Sequence, residues 1–190
     1  LYKLMDTNKY YRCYGLNILS DISLPEVNEI TACEVDVEIK RGEVSTELLD
    51  SEKIGPWSIK EGKVLFYFPE VMSCLVTGGK KITVQDISVN QNQAADCALG
   101  SGLASIFHQR AYLPLHACVM IRDGQAWLFA GHRGAGKSTL ASLLKSRGWD
   151  FFSDDTAICR KVDGQWMVAP GLNRVKLYPD SIQANQMQEE

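Results

Sequence analysis

The chain of 190 residues lacks any apolar run long enough to cross a bilayer. Stretches such as Val64-Leu65-Phe66-Tyr67-Phe68 and Ala126-Trp127-Leu128-Phe129-Ala130 fall far short of the roughly 20 residues that a spanning helix needs. No secretory leader fits the first residues either, because Lys3, Asp6, Lys9 and Arg12 interrupt any apolar core there. Strong charge of either sign is also missing. A net charge of −3 gives no footing for broad binding to nucleic acid or to anionic membranes. The six cysteines contain no C-x-x-C pair and are widely spaced, which argues against a zinc site and against a disulfide scaffold. They read as small hydrophobes in a reducing cytoplasm. No internal repeat, low-complexity tract or linker interrupts the chain.

What is present is an ordinary globular composition, 45% apolar and 23% charged. The first ninety residues read as β-rich, with strand-like stretches at Tyr11–Leu19, Cys33–Lys40, Lys63–Phe68 and Lys81–Gln85. Breakers at Leu24-Pro25, Gly55-Pro56, Glu61-Gly62 and Gly78-Gly79 separate them. Apolar residues at helical spacing then predict a helix over Ala94–Arg110, which Pro114 follows. His116–Arg122 and Gln125–Ala130 read as a hairpin turning at Asp123-Gly124. The unbroken apolar run of the second strand predicts burial on both faces. Ser138–Arg147 reads as a helix with Leu140, Leu143 and Leu144 inward and Gly148 as its stop. Trp149–Ser153 reads as a strand, Asp163-Gly164 as a second hairpin turn and Arg174–Tyr178 as a short last strand. The expected division is a β-rich subdomain over 1–92 and an α/β core over 93–190.

Between the second hairpin strand and the helix lies Gly131-His132-Arg133-Gly134-Ala135-Gly136-Lys137-Ser138, followed by Thr139. It satisfies G-x-x-x-x-G-K-[ST] at every fixed position. The chemistry behind that pattern is direct. Gly131, Gly134 and Gly136 permit backbone angles that side chains disfavour, so successive N–H groups can converge on phosphate oxygens. The following helix aims its positive end at the same anion. Lys137 then reaches the β- and γ-phosphates, and the Ser138 hydroxyl is placed to ligate Mg²⁺. His132 and Arg133 occupy variable positions; they read either as residues that touch phosphate or another subunit, or as tolerated loop residues.

Asp154-Asp155 ends the strand after that helix, where the carboxyl ends of a parallel sheet would line a ligand crevice. One carboxylate can hold Mg²⁺ and the other can accept the proton of an attacking hydroxyl. Spacing alone does not assign the two roles. His116 starts the strand paired with the loop strand, from which it could hydrogen-bond an aspartate. His108, on the candidate helix, reads as structural.

The order Leu115-His116-Ala117, hairpin, Gly131–Thr139 and Trp149–Thr156 resembles the catalytic core of HPr kinase/phosphorylase over about residues 110–180. Tyr14-Gly15-Leu16-Asn17-Ile18 with Leu24-Pro25-Glu26 resembles the HPr kinase-like proteins encoded beside lasso-peptide genes. The resemblance implies an α/β P-loop kinase core and a cytoplasmic enzyme that passes the γ-phosphoryl group of ATP (or GTP) to a serine of a precursor peptide or protein. It implies Asp155 as general base, Asp154 beside the metal, His116 as their support, and a homo-oligomer. The glycine- and arginine-containing signature found downstream in HPr kinases is absent. That family's core runs on past Glu190, so the chain is expected to be trimmed or incompletely ordered. Two other readings stay open: transfer to a small-molecule hydroxyl such as a nucleotide ribose, and a nucleotide-dependent regulatory module without catalysis.

Overall fold

The computed structural model describes residues 8–45, 47–69, 71–86, 91–132, 134–154 and 156–169. The chain divides into two compact units, Leu1–Tyr112 and Leu113–Glu190. The helical segment after residue 91 packs with the β-rich part, so the division falls after Tyr112 rather than at 92/93.

The first unit is a nine-stranded mixed sheet. Its strands are β1 (Lys9–Cys13), β2 (Leu16–Ser20), β3 (Asn28–Ile30), β4 (Val37–Arg41), β5 (Glu52–Ile54), β6 (Trp57–Lys60), β7 (Lys63–Phe68), β8 (Met72–Thr77) and β9 (Lys81–Asp86). They lie in the order β3-β1-β2-β4-β9-β8-β7-β6-β5. Among the described residues, parallel pairing is confined to β2–β4 and β4–β9. The single strand expected over Tyr11–Leu19 is a hairpin, because Tyr14 and Gly15 both adopt positive φ (52° and 73°) and close a two-residue turn. A helical segment follows: α1 (Gln91–Cys97), a π-helical turn over Ala98–Gly102, and α2 (Leu103–Gln109). It lies on the sheet face that carries Cys74, Val76, Ile82 and Val84. Gly102 marks the closest approach, since a Cβ there would sit 3.1 Å from the Ile82 side chain. The opposite face packs Val44, Leu48 and Leu65 beneath Leu75 and Tyr67.

The second unit holds β10 (Leu113–Leu115), β11 (Ala117–Arg122), β12 (Gln125–Ala130), α3 (Lys137–Ser146), β13 (Asp150–Ser153), β14 (Ala157–Val162) and β15 (Gln165–Ala169). Two three-stranded sheets form, β12-β11-β13 and β10-β14-β15, and every strand pair in them is antiparallel. Asp123-Gly124 and Asp163-Gly164 close two-residue hairpins with positive φ at both positions. Period-two alternation along β11 builds two cores. Ala117 and Val119 face Ala157, Leu128 and Phe152, whereas Cys118 and Met120 face Ala141, Leu144 and Phe151 beneath α3. Helix α3 ends as the glycine predicts. Gly148 turns left-handed (φ 81°), and the Gly148 and Trp149 amides donate to the Lys145 and Leu144 carbonyls at 3.1 Å each.

Several expectations are corrected here. The fold is mainly β, with fifteen strands against three α-helices among the described residues, and not an α/β kinase core. A strand–loop–helix motif suggested parallel neighbours, but both neighbours of β11 run against it. Strand β12 lies at the edge of its sheet with Trp127 half exposed; the strand buried on both faces is β11. On α3, Leu140 and Leu143 are exposed, and Ala141 with Leu144 forms the inward face. The expected strand Arg174–Tyr178 lies outside the described residues. No helix among the described residues is long and apolar enough to cross a membrane.

Candidate functional site

Strand direction brings the candidate residues to one end of the sheet β12-β11-β13. Ala130, the last residue of β12, pairs with Ala117, the first of β11. Ser153, the last of β13, pairs with Val119. The carboxyl ends of β12 and β13 therefore lie at the same edge, beside the start of β11. Gly131 follows the first, Asp154 follows the second, and His116 precedes Ala117. His116 is exposed between β10 and β11.

The glycine loop has the conformation that its composition requires at two of its three glycines. Gly134 and Gly136 have φ of 83° and 82°, a region costly for a residue with a Cβ. Gly131 acts differently: its φ is not positive, but a Cβ there would come within 3.2 Å of the Ala135 Cβ. The Ala135 amide donates to the His132 carbonyl at 3.1 Å and tightens the turn. Gly136 is the N-cap of α3 and supplies no side-chain cap, and the first turn of the helix carries no acidic residue. No side-chain cap from Gly136 and no negative charge on the first turn compete with an anion there.

Lys137 Nζ donates to the Gly131 carbonyl at 2.8 Å and to that of His132 at 3.3 Å, so its ammonium lies over the loop. Ser138 Oγ stands 3.5 Å from Asp154 Oδ2. His132, Gly134, Ala135, Gly136 and Thr139 are exposed, whereas Lys137, Ser138 and Asp154 are partly buried. Arg133 and Asp155 lie outside the described residues. His108 sits in the first unit, in a cleft of about 590 Å³ with Trp57, Ile59, Val64 and Ala104.

Two features were not read from the sequence. Cys118 lies fully buried beneath the site. Burial pushes its thiol up to about 11; the Asp154 carboxylate adds to that, and Lys137 opposes it. The thiol thus feels both charged groups of the site, which the apolar run Ala117-Cys118-Val119 gives no hint of. The second is a clamp around the aspartates. Ser153 Oγ donates to the Thr156 carbonyl at 3.0 Å, and the Thr156 amide donates to the Asp154 carbonyl at 3.0 Å. Hydroxyl residues on both sides of Asp-Asp are the signal that could have revealed it.

No cluster of three or more His, Cys, Asp or Glu side chains able to hold a metal occurs among the described residues. One hydroxyl and one carboxylate do fit a Mg²⁺ that takes its other ligands from phosphate and water.

The chain is similar to the family model of ScmC, a SynChlorMet cassette protein, over residues 87–175. That span is somewhat under half of the chain and includes every candidate residue from His116 to Asp155. No curated protein matches the chain. The match to ScmC and the mainly β architecture overturn the resemblance to HPr kinase/phosphorylase and to the lasso-peptide proteins. The P-loop kinase-core and HPr kinase-like descriptions are corrected with it.

Proposed function

We propose that the second unit binds the triphosphate of ATP or GTP together with Mg²⁺ and passes the terminal phosphoryl group to a hydroxyl of a peptide, protein or small molecule. One observation carries the reading. An uncapped helix start follows a loop with two left-handed glycines, and the Ser138 hydroxyl there stands 3.5 Å from an Asp154 carboxylate brought in by another strand. A glycine-rich turn without a ligand would need neither the lysine nor the facing carboxylate.

The roles follow from charge and reach. Amides of the loop and of the first turn of α3 hold the phosphate oxygens. Lys137 exchanges its two carbonyl partners for the β- and γ-oxygens. Bound Mg²⁺ supplies neutralisation of the charge that gathers on the phosphates. Ser138 and Asp154 are the side chains that would hold it. Asp155 takes the proton of the acceptor hydroxyl, and His116 supports that carboxylate by hydrogen bonding. Thr139, His132 and Arg133 complete the surroundings of the nucleotide.

Calorimetry with Mg·ATP and Mg·GTP, followed by γ-labelled nucleotide with peptide and small-molecule acceptors, tests this. The expected outcome is saturable binding and label on an acceptor hydroxyl. Label found only as inorganic phosphate, with every acceptor class bare, would remove the transferase reading. A folded sample that takes up neither nucleotide would remove the binding reading too.

A further inference from the structure

Strand β13 does not run regularly to its end. Val119 pairs with Ser153, but the next residue along β11, Met120, pairs with Phe151. Phe152 is therefore an extra residue, a β-bulge one residue before the aspartates. The packing shows its consequence. Phe151 lies under α3 with Met120, while Phe152 packs with Val119 and Ala157 between the sheets. Ser153, directly opposite Val119, shares that second face. The next residue, Asp154, returns to the α3 face, where its carboxylate lies 3.5 Å from Ser138 Oγ. Continuing the Met120–Phe151 register without the bulge would set Phe152 opposite Val119 and Ser153 opposite Cys118, which puts Ser153 under α3 and turns Asp154 to the opposite side.

The bulge sets the face, and a second element holds the turn. Ser153 is only 2% exposed, and its hydroxyl spans the aspartates to the Thr156 carbonyl at 3.0 Å. The Thr156 amide closes back on the Asp154 carbonyl, also at 3.0 Å. We propose that Ser153 is a positioning residue, whose hydroxyl locks the turn after the bulge and so keeps the Asp154 carboxylate on the phosphate-loop face. The proposal rests on the nucleotide reading above and names the residue that sets its metal side. A purely structural serine, satisfied at a strand end, would give the same hydrogen bond, so the test must separate the two.

The variants are Ser153→Ala, which removes the hydroxyl without adding bulk, and Ser153→Thr, which keeps it. Two readouts are needed: exchange of the Thr156 amide in the free protein, and ADP and ATP affinity with and without Mg²⁺. In Ser153→Ala, Thr156 exchange is expected to speed up by about tenfold. Mg²⁺-free affinity should stay within twofold of the parent, and the gain in affinity on adding Mg²⁺ should shrink about five- to tenfold. Ser153→Thr should restore both. An unchanged Mg²⁺ gain in Ser153→Ala, while the parent binds nucleotide normally, overturns this proposal alone. Equal loss with and without Mg²⁺ overturns it as well, because Ser153 then supports the fold and not the carboxylate. A parent protein with no nucleotide affinity overturns the underlying reading, and this proposal falls with it.

Discussion

Replacing Lys137 with alanine separates the two jobs of its ammonium. In the structure Nζ donates to the exposed loop carbonyls of Gly131 and His132 at 2.8 and 3.3 Å. Water can take over both acceptors, and alanine has the highest intrinsic helix propensity, so the fold should change by no more than about 1 kcal/mol. Nucleotide binding should suffer more. Charged hydrogen bonds contribute about 1.5–3 kcal/mol each, and two phosphate oxygens are within the reach of one ammonium. Against this stands the cost of releasing the carbonyls, about 1 kcal/mol. The net loss is then about 2–5 kcal/mol, or roughly 30- to 4,000-fold in Kd. The loss should be selective. Mg·ATP should weaken by that factor and ADP, which lacks the γ-oxygen, by less, whereas AMP, with no β-phosphate, should change less than about threefold. Calorimetry on parent and variant with all three ligands, beside thermal unfolding of each, gives the comparison. Equal weakening of AMP and ATP would refute the assignment of Lys137 to the outer phosphates, and an unfolded variant would refute the claim that its carbonyl contacts are dispensable.

Other substitutions test other parts of the site and its core. Asp155→Asn should leave Mg·ATP affinity within about twofold and abolish labelling of the acceptor; normal turnover in that variant would show that another group takes the proton. Met120 is fully buried beneath α3, so Met120→Ala should cost about 2–5 kcal/mol in denaturant unfolding, whereas Leu143→Gln on the exposed face should stay within about 0.5 kcal/mol. Cys118 gives a pH signature. Its folded thiol is raised from 9.0 to about 11, so the unfolded chain loses the proton first as pH rises. Stability should therefore be intact below pH 9 and fall by up to about 2–3 kcal/mol between pH 9 and 11. Cys118→Ala should flatten that part of the profile, and an identical alkaline slope in the variant would assign the loss elsewhere.

The parts of this fold that local chemistry decides could be read from the sequence. Asp123-Gly124 and Asp163-Gly164 are hairpin turns because two consecutive positive φ values are tolerated by few residue pairs. Gly148 ends α3 for a related reason, and the loop motif names its own glycines. Properties set by distant neighbours could not be read. The run Ala126–Ala130 looks more buried than Ala117–Ile121, yet the latter is the central strand, because only pairing with β13 decides which of the two is covered. Four apolar residues in one helical turn and a half, Leu140, Ala141, Leu143 and Leu144, leave the inward face of α3 ambiguous. Close approach of helix and sheet favours the small Ala141 over Leu140. The bulge at Phe152 has no sequence mark, although it decides which way Asp154 points.

Convergence of loop and carboxylate is usually attributed to parallel sheets, but it needs a weaker condition. Two strands that each pair antiparallel with a common neighbour must run in the same direction, and so must end at the same edge. Strands β12 and β13 satisfy this on either side of β11, with the helix that follows the loop as the connection between them. The arrangement has a geometric consequence. With β11 interposed, the two strand ends are separated by two inter-strand spacings, roughly 10 Å, instead of one. A carboxylate leaving β13 straight out of the sheet would stand too far from the helix start to share a cation with Ser138. The gap is closed from both sides. The loop carries the chain back over β11, so that α3 begins above the central strand and rests on Cys118 and Met120. The bulge in β13 turns Asp154 onto the same face, which leaves 3.5 Å between its carboxylate and the serine hydroxyl. The bulge thus lets Phe151 and Asp154 share the α3 face while Phe152 and Ser153 both lie on the other.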